Sequence, residues 1–111
     1  MPSKADIRKR AIRGALLLDA KEPGWFRKVD LETLDIWSDD HCVLGQVFGS
    51  GNAGRAILWP GTALNIFWRD RNRNPIAHGF ITDAWPPEIV YATLQEQFVL
   101  EITSRMEAQD A

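Results

Sequence analysis

Cysteine, histidine and long apolar runs are all scarce in this chain of 111 residues, and each scarcity removes a class of function. Cys42 is the only cysteine, so no intramolecular disulfide, CxxC redox pair or thiolate-rich zinc cluster can be assembled from the chain. A lone thiol fits a reducing, cytoplasmic setting. The longest apolar run near the start, residues 15–18, is too short for the hydrophobic region of a signal peptide, and no run approaches the roughly 20 apolar residues of a membrane span. Excess positive charge is missing as well: the net charge is -2, so there is no whole-chain basic field of the kind that attracts nucleic acid.

What is present is the ordinary balance of a globular protein, with 45% hydrophobic and 25% charged residues. The length suits one domain over residues 1–111 with one core. The pattern predicts an all-α fold built on two long helices, about 4–20 and 87–106, with short helices between them. Ser3 is a suitable N-cap for the first, and Pro23-Gly24 stops it. At about 100° per residue, Ile7, Ala11, Gly14, Ala15 and Leu18 share one side, with Lys9, Arg10 and Arg13 opposite. Pro86-Pro87 fit the opening of the last helix, where Tyr91, Leu94, Phe98, Ile102 and Met106 form a stripe expected to dock on the first. Ile89 and Leu100 point away from that stripe.

Between the long helices the signals are shorter. Asp30 can cap a short helix carrying Leu31 and Leu34. Ser38-Asp39-Asp40 place a cap and two carboxylates at the positive end of a helix over residues 42–48, which Gly49 would close. Residues 55–68 read either as helical turns around Pro60-Gly61 or as a small hairpin. Residues 69–75, polar and ending in Asn-Pro, read as an exposed loop.

Three motifs suggest chemistry and none carries it. Gly49-Ser50-Gly51-Asn52-Ala53-Gly54 spells GxGxxG, but a dinucleotide site needs a preceding strand and a parallel sheet for which the chain has no room, so the glycines read as a flexible interhelical loop. Cys42 with His78 could form a thiolate–imidazole pair, yet Cys42 beside Val43-Leu44 reads as a small buried residue. Asp39, Asp40, His41 and His78 match no metal-ligand spacing. No catalytic residue, metal or cofactor is therefore expected.

Two candidate binding surfaces remain. Trp25, Trp37, Trp59, Trp68 and Trp85 all fall in or beside loops, and tryptophan is enriched where proteins meet. Trp59, Trp68 and Trp85, with Ile89 and Leu100, are the candidates for a surface that binds a protein partner or a second copy of the chain. The alternative is a nucleic-acid or regulatory surface combining Lys9, Arg10 and Arg13 with Arg69, Arg71 and Arg73. Asp70 inside the arginine cluster and the absence of a recognisable reading module count against it.

Cys42-Val43-Leu44-Gly45-Gln46-Val47-Phe48-Gly49, Ala77-His78-Gly79-Phe80 and the segment opening at Tyr91, together with Pro23-Gly24-Trp25 and Val29-Asp30-Leu31, resemble a mycobacteriophage-like group of small proteins encoded by actinobacteria and their phages. The resemblance spans about residues 10–105. It implies a phage-encoded protein in the host cytoplasm, brings no activity with it and carries no catalytic residue across. Residues 55–74 depart from the group's pattern, holding Trp59, Trp68 and the arginine cluster. The shared Gly45, Gly49 and His78-Gly79-Phe80 read physically as close packing, a cap and a turn.

Overall fold

Helix is the only regular structure among the described residues of the computed structural model, which are 2–60, 68–82 and 84–110, with side chains described for all of these except 68–72 and 110. Helix α1 spans Lys4–Lys21, and its first turn is capped by Ser3, whose hydroxyl accepts the Asp6 N–H. After a short 3-10 turn at Trp25–Lys28 come α2 (Val43–Phe48), α3 (Gly51–Leu58), α4 (Trp68–Ala77) and α5 (Pro87–Asp110).

The predicted apolar side of α1 is the buried one: Ile7, Ala11, Gly14, Ala15 and Leu18 all face the core. From α5, Val90, Leu94, Phe98 and Ile102 meet them, and Phe80 stacks on Phe98 with ring centroids 5.7 Å apart. Each fully buried side chain of this size is worth about 1.5–3 kcal/mol. Arg8 of α1 pairs with Glu96, and Asp19 pairs with Arg105. Residues rise together along the two helices, so α1 and α5 pack in parallel. The chain between them must therefore return from the end of α1 to the start of α5, and the short helices occupy that return path.

The core stripe on α5 is rotated slightly from the predicted one. Val90 replaces Tyr91 at its start, Tyr91 is half-buried at the edge, and Met106 is exposed. The helix also continues beyond residue 106 to Asp110, near whose end Arg27 bonds Gln109.

Several other expectations are corrected. Helix α2 is capped not by Ser38 but by Cys42, whose sulfur accepts the Gly45 N–H at 3.3 Å. Ser38 instead accepts the His41 N–H and closes a separate turn that holds Asp39 and Asp40. Asp30 starts no helix; its carboxylate accepts the Glu32 N–H in a single turn. The GxGxxG is not a loop, because Gly51 and Gly54 lie in α3. Gly54 is there for packing: a Cβ on it would sit 2.8 Å from Leu44 Cβ and 2.9 Å from Phe48 Cδ2. Gly49 does close α2 as expected.

The segment expected as a loop over residues 69–75 is helical, with Pro75 inside α4. Burial of Pro75 offsets its missing backbone donor, and the helix ends two residues later. Phe80 N–H bonds the Pro75 carbonyl and Gly79 N–H the Ile76 carbonyl, with Gly79 at φ 76°, which is the Schellman pattern. This turn then crosses α1 so closely that a Cβ on Gly14 would meet the His78 carbonyl oxygen at 2.1 Å. The hairpin alternative fails in its first arm, since residues 55–58 belong to α3; residues 61–67 lie outside the described residues.

Candidate partner-binding surface

Two glutamines hold the irregular segment between the 3-10 turn and α2. Gln46 of α2 accepts the Asp30 N–H at 2.6 Å and donates to the carbonyls of Asp30 and His41 at 3.2 and 3.0 Å. Gln95 of α5 accepts the Ile36 N–H at 3.0 Å and donates to the Leu34 carbonyl at 2.7 Å. Each amide thus satisfies a backbone donor and acceptor that lack sheet or helix partners, as one more peptide group would. Leu34 and Ile36 are buried beneath these clamps, anchoring the segment.

The next residue, Trp37, is 58% exposed. Its N–H is tied to the Asp35 carboxylate at 3.0 Å, and its ring lies 4.4 Å from that of Tyr91, tilted by 36°. Trp37, Glu88, Tyr91, Ala92, Gln95 and Glu96 line a groove of about 410 Å³. Residues 88, 91, 92, 95 and 96 share one side of α5, since steps of three, four, seven and eight return to the same helical face. Glu96 meets Arg8 at 3.4 Å on the exposed rim; Glu88 is exposed and has no ion pair among the described residues. Two aromatic faces and two carboxylates on an immobilised backbone can bind apolar and cationic groups, and the lining contains no histidine, cysteine or serine.

The tryptophans singled out by their loop positions fall in different environments. Trp85, in the turn before α5, is 78% exposed, and Ile89 and Leu100 are exposed on α5. Trp59 is half-buried, 5.3 Å from the His78 ring and 6.2 Å from Phe80, so it seals the junction of α3 with the turn after α4. Trp68 opens α4, and its side chain lies outside the described ones. Trp25 is fully buried. Compared with known protein families, curated proteins and solved structures, the chain matches none.

The basic residues are brought nearer one another than the sequence shows. Helix α4 packs on α1, and Arg13 donates to the Ala77 carbonyl at the end of α4 at 3.0 Å. Lys9 and Arg73 are exposed and Arg10 is half-buried; Arg69 and Arg71 lie on α4 with side chains outside the described ones. Two of the arginines on α1 are already committed, Arg13 to α4 and Arg8 to Glu96.

Cys42 and His78 are each occupied elsewhere. The Cys42 sulfur takes the Gly45 N–H and lies 3.7 Å from the Asp39 carbonyl, and burial pushes its pKa up, which disfavours the thiolate. The His78 Nδ1 bonds the Asn74 carbonyl at 2.8 Å while its ring packs on Trp59. Among the described residues no group of three or more His, Cys, Asp or Glu side chains is placed to hold a metal ion, and no helix is long and apolar enough to cross a membrane.

The groove combines residues that no local sequence pattern unites. Trp37 is one tryptophan among five, and Tyr91 fits the core periodicity well enough to be read as part of the stripe. The signal that exists is the mixture of Glu88, Tyr91, Gln95 and Glu96 on one flank of a strongly apolar helix, where a purely solvated flank needs no aromatic.

Proposed function

We propose that the chain is a non-enzymatic interaction protein that binds a protein partner through the aromatic face at the N-terminal half of α5. The observation carrying this reading is the exposure of Trp37, Trp85 and Ile89 on and beside one helix, with Trp37 held in place by backbone bonds. A large apolar ring fixed before binding loses little conformational freedom when a partner covers it. The candidate surface thereby shifts: Trp85 and Ile89 stay, Trp37 and Tyr91 join them, Leu100 extends the exposed face into the C-terminal half of α5, and Trp59 serves packing.

An actinobacterial or phage origin and a cytoplasmic setting, implied by the resemblance, belong to the same proposal and direct the experiment to an actinobacterial lysate. Immobilised wild-type protein and a Trp85→Ala/Ile89→Ala variant with unchanged circular dichroism are compared by quantitative mass spectrometry. A protein retained by the wild type and lost by the variant is the expected result; identical retention overturns the reading. Sedimentation of both proteins reports whether the same face serves self-association.

One observation favours a second reading, nucleic-acid binding: the docking of α4 on α1 sets Arg73 and its helix against the basic helix. The commitment of Arg8 and Arg13 within the fold lessens the charge left for phosphates. A gel shift with single- and double-stranded DNA at low salt separates the two readings, and the protein-binding reading expects no salt-sensitive complex.

A further inference from the structure

At the far end of α5 the fold recognises an arginine of its own. Arg105 lies with its guanidinium 5.8 Å from the centre of the buried Trp25 ring. Its Nε and Nη2 bond both Asp19 oxygens at 2.7–3.2 Å, and Nη1 reaches the Glu101 carbonyl at 3.0 Å. With the Glu101 carboxylate 3.4 Å from Nη1, the set is one indole face, one carboxylate from the same helix and one from another element. The groove at the other end of α5 has related parts, with Trp37 backed by Tyr91 and with Glu88 and Glu96 on α5, while the Asp35 carboxylate accepts the Trp37 backbone N–H. Here Trp37 is exposed and Glu88 has no ion pair among the described residues. Among the described residues Arg8 is the cation paired with a groove carboxylate, meeting Glu96 at 3.4 Å, and Arg55 lines a second pocket that also touches Trp37 and Tyr91.

We propose that the Trp37–Tyr91 groove receives an arginine side chain from a basic peptide segment of the partner, its guanidinium stacked on Trp37 and bonded to Glu88. The inference rests on the protein-binding reading above and specifies the partner's chemistry. A guanidinium is planar and weakly hydrated, so it stacks on an indole while donating sideways to a carboxylate, which an ammonium cannot do in the same geometry. The carboxylates Glu88 and Glu96 on the groove favour approach of a basic segment and repel an acidic one. The backbone clamp from Gln95 keeps the ring oriented before the ligand arrives.

The test is fluorescence anisotropy of a dye-labelled peptide of alternating glycine and arginine, with citrulline, lysine and glutamate versions as comparisons. Citrulline keeps the shape of arginine and removes its charge. The arginine peptide is expected to bind about tenfold more tightly than the citrulline peptide, and Glu88→Gln or Trp37→Ala to remove about that factor with the circular dichroism unchanged. Lysine is expected to rank between them and glutamate last. Equal binding of arginine and citrulline peptides, indifference to both substitutions, or no binding at millimolar arginine peptide in low salt each overturns the inference. Lysate capture that still depends on Trp85 and Ile89 in that case leaves the broader reading standing. Arginine-peptide binding at Trp37 with capture insensitive to Trp85 and Ile89 defeats the broader reading and leaves the groove.

Discussion

At the C-terminal end of α5, Trp25 is sealed in the core and its arginine and carboxylates come from the fold itself; at the N-terminal end, Trp37 lies in the open beside Glu88, which has no ion pair among the described residues, and Glu96, which Arg8 meets at 3.4 Å. The chemical groups are nearly the same, and the difference is where the chain between α1 and α5 leaves each ring. Trp25 sits on the 3-10 turn directly after α1, where both long helices converge on it, and its Nε1 donates to Asp19 at 2.9 Å. Trp37 sits on a loop clamped by Gln95 and packs on Tyr91 of α5. A tryptophan's role here follows from how many elements surround it.

The largest effect that separates the two ends is truncation of the rings. Trp25→Ala is expected to cost about 3–5 kcal/mol by denaturant unfolding, whereas Trp37→Ala, losing one exposed stacking contact, costs about 1 kcal/mol or less. Similar losses from both would show that the open end is a second core.

Next in size is the clamp. Gln95→Ala leaves the Ile36 N–H and Leu34 carbonyl without their partner, for an expected cost of about 1–3 kcal/mol. Cys42, which follows this loop, supplies an independent readout. Its buried thiol is expected to react slowly with iodoacetamide in the wild type and faster in Gln95→Ala, at a rate that rises with pH as thiolate forms.

The closed end is sharpened by acid. The hydrogen bonds from Arg105 hold the Asp19 carboxyl below its usual range, against a smaller opposing effect of burial. A folded pKa below the unfolded value, about 3.9, means that the stabilisation is complete above that value and disappears as the pH falls through the lowered one. Wild type should therefore be more stable than Asp19→Asn near neutral pH, with the gap closing in acid. A gap that grows toward low pH would contradict the assignment. The smallest effect is expected from Arg8→Ala, about 0–1 kcal/mol, because that pair is largely solvated. The same substitution frees Glu96 and is expected to strengthen arginine-peptide binding in the groove.

How much of this was readable beforehand differs by element. The buried side of α1 follows residue for residue from its periodicity, because a helix against a core must repeat near every 3.6 residues. The stripe on α5 was legible at Leu94, Phe98 and Ile102, whereas Val90 takes the place of Tyr91 and Met106 is exposed. Helix α4 was not, since an arginine- and asparagine-rich stretch ending in proline has the composition of a loop. Burial of Pro75, the Arg13 bond to the Ala77 carbonyl and the crossing of α1 at Gly14 tie it to the core. The groove was hidden for a related reason. Glutamines in apolar helices look solvated until the backbone groups they satisfy are known, and those belong to residues up to 61 positions away.

By itself the sequence determined that the chain is helical, that α1 and α5 pack through defined faces, and that a lone cysteine excludes an intramolecular disulfide or thiol cluster. These are consequences of local periodicity and of counting. The parallel sense of the two helices, the separation of Trp25 from Trp37 into core and surface, and the carboxylates gathered around each were decided only by the tertiary structure. Burial and hydrogen-bond partnership depend on contacts between distant segments, and no local pattern encodes those.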